Sequence, residues 1–302
     1  MPELPDITVY IEALQKRIQD QPLLHVRIAH PFLLRTADPL VSSVENKRVL
    51  SLRRIGKRIA IGLEQDLWIV LHLMIAGRLH WKEPGALLRK KTDLAAFDFP
   101  SGSLILTEAG TRKQTSLHVL QGEESLRSLD PGGTDVLEAS FDLFASALTQ
   151  SNHTVKRALT DPHIVSGIGN AYSDEILFEA KLSPATLTQK LSQDQISRLY
   201  DAARKVLSEW TAKLREEAGE DFPEKVTAFR KDMAVHGRYG LPCIVCGSPI
   251  QRIRHATNES NYCAQCQTGG RLLADRALSR LLKKDRPRTI GEMEKRLKGL
   301  GS

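Results

Sequence analysis

The sequence predicts an α+β protein of several domains: an antiparallel β-sandwich with one helix at the N-terminus, a helical region, and a four-cysteine finger near the C-terminus. Three observations support this prediction. Apolar residues recur at helical spacing in residues 5–20, short β-like runs follow from about 23 to 121, and the four cysteines of the 302-residue chain share one window. A chain of this length can bury a large core and suggests about two domains.

The N-terminal region begins with one amphipathic helix. Ile7, Ile11, Leu14 and Ile18 follow one another at steps of four, three and four residues, which places them on one helix face. The chain then changes to short runs that are typical of strands, broken by turn signals such as PSGS. These runs are HVRIAH, KRVLSL, KRIAIGL, LWIVLHLM, AAFDFP and SLILTE. An antiparallel sandwich with one helix is the simplest packing of these elements.

The chain after DPGG at 130–133, a plausible linker, is typical of helices. SQDQISRLYDAARKVLSEW opens with Ser192 and Gln195 at capping-box spacing. Before it, SGIGN at 166–170 joins two helical stretches through glycines. A helix that starts near Asn170 would direct backbone N–H groups outward as an anion site, and a simple turn is the other interpretation.

The cysteines predict a structural zinc site. Cys243 and Cys246 form one C-x2-C pair, and after sixteen intervening residues Cys263 and Cys266 form a second pair. This is zinc-ribbon spacing, because each pair offers two thiolates to one side and the intervening segment can fold as a hairpin. Four thiolates leave the metal no open position, so we expect one structural Zn²⁺ per chain. Two disulfides are the alternative, which an intracellular chain without further cysteines disfavours.

The predicted hairpin between the two pairs carries the alternating run IQRIRH. Arg252, Arg254 and His255 would place several hydrogen-bond donors on one face of a strand. Contact with phosphates and a solvated hairpin are equally good interpretations of this run.

The charge suggests a polyanionic partner. The formal net charge is +7 and the pI is about 9.2. Residues 271–302 hold ten Lys and Arg against four Asp and Glu, a net +6 that leaves +1 for the remainder. SLRRIGKR at 51–58 is a candidate basic face on that remainder.

The basic C-terminal tail contains two short helical runs, the second with Thr289 and Glu292 at capping spacing. A solvated or disordered extension is the favoured interpretation. An auxiliary arm that binds nucleic acid or a partner is the alternative.

Neither a secretory nor a membrane signal is evident. The first twenty residues contain charged residues of both signs, among them Asp6, Glu12, Lys16 and Arg17. The most apolar stretch, LWIVLHLMIAG at 67–77, is too short to cross a bilayer and includes His72. We therefore expect a soluble, intracellular protein without membrane contact.

The chain begins MPELPD, with a proline directly after the methionine. One interpretation is an ordinary surface turn. The other is chemical: if Met1 is removed, Pro2 carries a secondary amine, and an α-amino group titrates at about 7.7–8.0, so part of it is neutral near neutrality. Such an amine is a nucleophile, and Glu3 or Asp6 could serve as its acid/base partner.

Four separated motifs together resemble the formamidopyrimidine-DNA glycosylase and endonuclease VIII family. They are MPELPD, the lysine of GKR, K-x-x-L-x-D at 156–161 followed by GIGNAYSDE, and HGRYGLPCIVCGSPI with the paired cysteines. They occur in the family's order, and the resemblance extends from residue 1 to about 267. The tail lies outside it.

The resemblance implies a bifunctional base-excision repair enzyme from an atypical branch of the family. The implied domains are a catalytic β-sandwich over residues 1–130, a helix-two-turn-helix DNA-binding domain over 131–236, and a zinc finger over 237–267. A basic extension over 268–302 completes the chain. The enzyme would remove oxidised or ring-opened bases and nick the strand by β- or β,δ-elimination.

The resemblance also assigns roles to residues. Pro2 is the nucleophile that attacks the sugar C1′ and forms a Schiff base, and Glu3 is the proton shuttle. Lys57 and Asn170 match family residues that hold the phosphates beside the lesion.

The finger departs from the family pattern at one position. Where the family usually has an arginine before the third cysteine, this sequence has Asn258. A major phosphate contact is therefore either missing or supplied by Arg252 or Arg254.

Two further departures lie in the N-terminal region. The family pattern HLGMSG reads HLMIAG here, so Ile75 replaces the void-filling methionine and can still act as an apolar wedge. The usual DPRRFG segment is absent, TEAGTRKQ at 107–114 takes its place, and Arg112 is the candidate substitute facing the orphaned base.

The leading hypothesis is therefore a DNA glycosylase with abasic-site lyase activity. It would act on double-stranded DNA with a damaged base or abasic site, as a cytoplasmic, nucleoid-associated monomer. A non-catalytic protein that binds damaged DNA is the alternative. An RNA-binding zinc-ribbon protein would also explain the charge, but it gives MPELPD no role.

Overall fold

The computed structural model describes residues 1–110, 112–224, 226, 230–255, 258–273 and 287–299. The chain divides into two compact units. The first consists of Met1–Pro131 with Ser208–Ala228, and the second of Gly132–Leu207 with Phe229–Ser302.

The first unit contains the helix α1 (Leu4–Ile18), two sheets and the short helix α2 (Glu123–Arg127). The five-stranded sheet has the order β1 (Pro22–Leu23), β3 (Lys47–Ile55), β4 (Arg58–Leu63), β5 (Leu67–His72) and β9 (Ser116–Gln121). The four-stranded sheet has the order β2 (His25–Ile28), β7 (Asp93–Phe99), β8 (Gly102–Glu108) and β6 (Gly77–Lys82). Neighbouring strands are antiparallel throughout, which confirms the predicted sandwich with one N-terminal helix.

One apolar core joins α1 to both sheets. The predicted helix stripe of Ile7, Ile11, Leu14 and Ile18 is buried in it. Strands of both sheets contribute residues to the same core, because their short apolar runs are buried along their length. The start of α1 is thereby fixed against the largest packed region of this unit.

The second unit begins with helices. These are α3 (Phe141–Thr149), α4 (Val155–Thr160), α5 (Asn170–Glu179) and α6 (Gln193–Ala218), whose last residues belong to the first unit. The predicted capping box of α6 is confirmed: the Ser192 N–H donates to Gln195 Oε1 at 2.9 Å, and the Gln195 N–H donates to Ser192 Oγ at 3.2 Å.

The finger completes the second unit. Its hairpin consists of β10 (Gln251–Arg254) and β11 (Glu259–Tyr262), which pair antiparallel. The helix α7 (Ala264–Thr268) starts directly after Cys263, and the helix α8 (Ile290–Gly299) lies near the chain end.

The expectation of a solvated or disordered tail is wrong for the described residues after Cys266. The Leu272 N–H donates to the Arg288 carbonyl at 2.8 Å, and the Ile290 N–H donates to the Gly270 carbonyl at 3.0 Å. The predicted start of the second tail helix is confirmed, because the Glu292 N–H donates to Thr289 Oγ1 at 3.2 Å. Residues 274–286, which include the first basic run, lie outside the described residues.

In the described part of the chain, no helix has both the length and the apolar character needed to cross a bilayer.

Candidate functional site

The first turn of α1 holds Glu3 in a buried position. Glu3 is the N-cap residue and is 2% exposed. Its backbone N–H donates to Asp6 Oδ2 at 2.8 Å, and its side chain accepts the backbone N–H of Asp6. This reciprocal capping box fixes the Glu3 carboxylate, and the buried Pro2 directly precedes it in the chain.

The amine at the start of the chain lies among charged groups of both signs. Burial is the main cause that lowers its pKa, since the charged form loses hydration. Glu3 and Asp6 act in the opposite direction, while Arg78 and Lys57 lower the pKa further. In this structure the amine belongs to Met1, which stands in for the Pro2 nitrogen of a processed chain. An amine here has a larger neutral fraction than a solvated one.

Arg78 is a residue of this site that the sequence analysis missed. Its Nη1 donates to the carbonyl of Ile75 at 3.2 Å and to that of Gly77 at 2.6 Å, so it shapes the turn between β5 and β6. Gly77 permits this turn, because a Cβ there would lie 2.2 Å from the Leu73 carbonyl oxygen. Ile75, the predicted wedge, is 64% exposed on the turn.

Arg112, the other predicted contact in this region, is exposed on the loop before β9. The loop is anchored at the buried Glu108, whose carboxylate accepts the N–H of Gln114 at 3.0 Å and that of Thr115 at 3.1 Å. The anchored loop base leaves the Arg112 side chain in solvent.

Lys57 occupies a two-residue hairpin turn between β3 and β4. Ile55 pairs with Arg58 across the turn, and Gly56 takes the left-handed conformation, with φ of +57°. His72 pairs with Arg58 on the neighbouring strand. Burial, together with the charges of Arg58, Lys57 and His118, lowers the pKa of His72 to about 4. Two cations thus lie beside a neutral imidazole, an arrangement suited to an anionic ligand.

Asn170 is the first residue of α5 and is fixed from two sides. Its carbonyl accepts a hydrogen bond from Lys156 Nζ at 2.7 Å, and its Nδ2 donates to the Glu259 carbonyl of β11 at 2.9 Å. Lys156 also pairs with the buried Asp174 at 2.6 Å, and Asp174 Oδ2 lies 2.8 Å from His236 Nδ1. This network of ionisable residues sets the position of Asn170 relative to the finger hairpin. The anion site expected at this helix start stays a prediction.

The cysteines form a set that fits zinc. Their four sulfur atoms lie within 4.8 Å of one another, with Cys243 and Cys266 at 3.9 Å and Cys246 and Cys263 at 3.4 Å. Tetrahedral zinc with bonds of about 2.3 Å requires sulfur separations of roughly 3.8 Å, whereas a disulfide requires about 2.05 Å. The thiols are unbridged, so the alternative of two disulfides is not the arrangement here.

The finger hairpin presents its two arginines differently. The Arg252 guanidinium lies 4.1 Å from the Tyr239 ring centroid and 3.5 Å from Glu259 Oε2. Arg254 is exposed at the end of β10. Asn258 is also exposed, and its carbonyl accepts the His255 N–H at 2.8 Å where the hairpin turns. Which of the two arginines contacts DNA stays a prediction.

Three family models match the chain. The formamidopyrimidine-DNA glycosylase N-terminal domain matches residues 1–116, the formamidopyrimidine-DNA glycosylase H2TH domain matches 133–216, and the zinc finger found in FPG and IleRS matches 240–269. These matches confirm the predicted three-part fold. The segment from residue 270 onward lies outside all three.

Two curated proteins illustrate the similarity. A formamidopyrimidine-DNA glycosylase of Mycoplasma genitalium is 31% identical over 274 residues, which cover 88% of this chain and 96% of that protein. An uncharacterized formamidopyrimidine-DNA glycosylase-like protein of Mycobacterium tuberculosis is 42% identical over 151 residues, which cover 50% of this chain and 94% of that protein.

Solved structures give the same result. Lactococcus lactis Fpg in complex with DNA containing an abasic site matches with a TM-score of 0.77 and 25% identity, covering 88% of this chain and 99% of that one. A mutant of the same enzyme with DNA containing Fapy-dG matches with a TM-score of 0.78 and 26% identity, covering 88% and 100%.

Proposed function

The chain belongs to the formamidopyrimidine-DNA glycosylase family, and from this premise we propose that Pro2 and Glu3 carry the chemistry of a base-excision repair DNA glycosylase with abasic-site lyase activity. The observation that carries the enzymatic assignment is the match to nearly the full length of a formamidopyrimidine-DNA glycosylase, at 31% identity. The geometry around Glu3 supports the assignment of residues.

The proposed first step is attack by the neutral Pro2 nitrogen on the sugar C1′ of a damaged nucleotide. The C1′–N bond to the base breaks, and the base leaves with the bonding electrons and takes the proton that the Pro2 nitrogen loses. The sugar ring then opens at the C1′–O4′ bond, and O4′ takes a proton from Glu3. This leaves an iminium between Pro2 and C1′. A lowered amine pKa supports this step, because the unprotonated amine is the nucleophile.

The iminium makes strand scission possible. It withdraws electrons from C2′, so that a C2′ proton can leave and the 3′ phosphate is expelled by β-elimination. A second elimination would release the 5′ phosphate. A positioned carboxylate such as Glu3 can contribute about 10²–10⁴-fold to such proton transfers.

Other residues are proposed to hold the DNA. Lys57 and Asn170 each contact a phosphate, and both sit on turns or helix starts that the surrounding hydrogen bonds fix. Ile75 fills the space left by the extruded nucleotide, and Arg112 faces the orphaned base. Arg254 takes the place of the finger arginine that Asn258 replaces. Flipping the nucleotide costs a few kcal/mol, which these contacts must offset.

The zinc ion would be held by the four cysteine thiolates and would supply a structural cross-link. Since all four positions are thiolates, the metal has no open site for water or substrate. The finger residues themselves make the DNA contacts.

The partner is DNA that contains a damaged base or an abasic site, as in the complexes of the Lactococcus lactis enzyme. Action as a monomer, without membrane contact, and location with the nucleoid in the cytoplasm are parts of the proposal. The similarity to catalytically named relatives over nearly their whole length does not favour the non-catalytic or RNA-binding alternatives.

The test is strand cleavage on a panel of duplex oligonucleotides, each with one oxidised base, one ring-opened base or one abasic site. The purified protein, with removal of Met1 checked by mass spectrometry, is expected to nick at least one substrate, and Pro2→Gly is expected to slow that reaction. Lesion binding without cleavage on every substrate, and no effect of Pro2→Gly, would select the non-catalytic alternative.

A further inference from the structure

The chain beyond the family match returns to the finger. We call residues 270–273 and 287–299 the C-terminal segment. Arg271 forms an antiparallel bridge with Thr289, flanked by the Leu272 to Arg288 and Ile290 to Gly270 hydrogen bonds. The two parts of the segment are thereby joined to each other directly after α7.

The finger hairpin has two chemically different faces. Gln251 pairs with Tyr262 and Ile253 pairs with Ser260, so Ile253 and Tyr262 lie on one face. Arg252 and Arg254 alternate with Ile253 along β10 and lie on the other. One face thus carries the apolar side chains of Ile253 and Tyr262 beside Gln251 and Ser260, and we call it the apolar face; the opposite face carries the arginines.

The C-terminal segment covers the apolar face. Tyr262, Ala264 and Ile290 form one buried cluster, with Tyr262 at 1% and Ile290 at 8% exposure. Ile253, Leu272 and Leu273 pack against this cluster. The Tyr262 hydroxyl also accepts the Leu273 N–H at 2.8 Å. A two-stranded hairpin alone is marginally stable in water, so this cover is a substantial part of its stabilisation.

We propose that the C-terminal segment is a built-in support of the zinc finger, which packs on the apolar face of the hairpin and holds the opposite face in position for DNA phosphates. The DNA part of this inference rests on the proposed function. The support part rests on contacts within the free protein. The competing role, a basic arm that itself binds DNA, would instead depend on the +6 net charge of residues 271–302.

Full-length variants separate the two roles. Ile290→Asn removes the apolar contact and leaves the charge unchanged. Tyr262→Phe keeps the packing and removes one hydrogen-bond acceptor, so it tests the same contact with a smaller change. The double change Lys283→Gln with Lys284→Gln removes two charges at positions outside the described residues and serves as the control for the arm.

Two measurements use the free protein: the rate of zinc release to excess chelator, followed with a metal-binding dye, and hydrogen exchange of the β10 and β11 amides. Because local opening governs both, we expect Ile290→Asn to accelerate them by about tenfold or more and Tyr262→Phe by about two- to fivefold. The double lysine variant should match the wild type. Wild-type rates in both Ile290→Asn and Tyr262→Phe would overturn the proposal that the C-terminal segment supports the finger.

The third measurement is affinity for a duplex with an abasic-site analogue at two salt concentrations. Ile290→Asn is expected to weaken binding, and the double lysine variant to retain both the affinity and the salt slope. If the lysine variant alone loses affinity with a smaller salt slope, the basic tail acts as a DNA-binding arm and the proposal fails. Inactivity on every lesion in the cleavage panel would count against the proposed function while leaving the zinc and exchange results intact.

Discussion

The start of α1 and the finger hairpin are held by very different amounts of surrounding structure. Glu3 is 2% exposed and caps a fifteen-residue helix that packs into the core shared by two sheets. The hairpin has two strands of four residues each. Its position depends on four cysteine ligands at its base, on the hydrogen bond from Asn170 to β11 and on the C-terminal segment over one face. The proposed reaction site therefore follows from the fold, while the finger depends on local supports.

The largest expected effect is loss of the zinc ligand set. Cys246→Ser, or prolonged chelation of the wild type, should unfold the finger, since structural zinc contributes on the order of 10 kcal/mol or more to such domains. Circular dichroism and hydrogen exchange of residues 240–269 would report this loss. DNA affinity should fall with it.

The stability of the first unit is the matched control for the loss of zinc. The three tryptophans, Trp68, Trp81 and Trp210, all belong to the first unit, so tryptophan fluorescence follows this unit separately from the finger. Its unfolding transition should remain close to that of the wild type. An equal shift of that transition would contradict the separate dependence of the two regions.

A single change at the start of α1 should affect rate more than stability. Glu3→Gln removes the proton-carrying carboxylate while an amide oxygen still accepts the helix N–H, so single-turnover cleavage should slow by about 10²–10⁴-fold. Glu12→Gln, on the same helix, is the matched control. The Glu12 carboxylate accepts a hydrogen bond from Arg215 Nη2 at 2.5 Å, and Arg215 lies 203 positions away in the sequence. Equal rates for the two variants would remove Glu3 from the proposed mechanism.

The network behind Asn170 should show an intermediate effect. Lys156→Met removes the lysine partner of the fully buried Asp174 at 2.6 Å and leaves His236 as its remaining partner, which should cost up to about 3–5 kcal/mol in the free energy of unfolding. Lys205→Met is the control, since Lys205 pairs with Glu179 at the same distance but at the surface, where about 0–1 kcal/mol is expected. Urea denaturation measures both. A loss from Lys205→Met as large as that from Lys156→Met would mean that burial does not set the strength of this network.

The smallest expected effect is a pH dependence from His72. Its pKa is about 4 in the folded state, against about 6.5 when unfolded, because burial and the cations Arg58 and Lys57, with His118, disfavour its protonation. The contribution of the neutral His72 to the free energy of unfolding is therefore fully present above pH 6.5. As the pH falls from 6.5 to 4 the unfolded chain binds the proton first, which removes up to about 3 kcal/mol.

Wild type and His72→Gln should accordingly diverge below pH 6.5, with the variant showing the flatter curve in thermal unfolding. Parallel curves over that interval would show that His72 is not held neutral in the folded protein.

Local patterns predicted much of this structure, and long-range contacts explain what they missed. The stripe of α1 and the capping residues at 192 and 195 involve residues within one or two helical turns, so the sequence displays them directly. The zinc ligands were found because their spacing is itself the signal. Strand β6 was not identified, although its run GRLHWK alternates polar and apolar residues in the way that predicts a strand.

The role of Arg78 and the docking of the tail depend on how the chain folds back on itself. Arg78 acts on carbonyls that only the turn after β5 brings to it. The C-terminal segment is fixed by a hydrogen bond between residues sixteen positions apart, Leu272 and Arg288, within a region whose basic composition suggested solvent exposure. Composition described its charge but not its apolar contacts with Tyr262.

The central claim is that the Pro2 nitrogen forms a covalent bond to the sugar of the damaged nucleotide. The direct measurement is borohydride reduction of the protein with abasic-site DNA, followed by proteolysis and mass spectrometry of the cross-linked peptide. The account predicts a reduced adduct on the nitrogen of Pro2 in a chain that lacks Met1. An adduct on a lysine, or active protein that retains Met1, would contradict it.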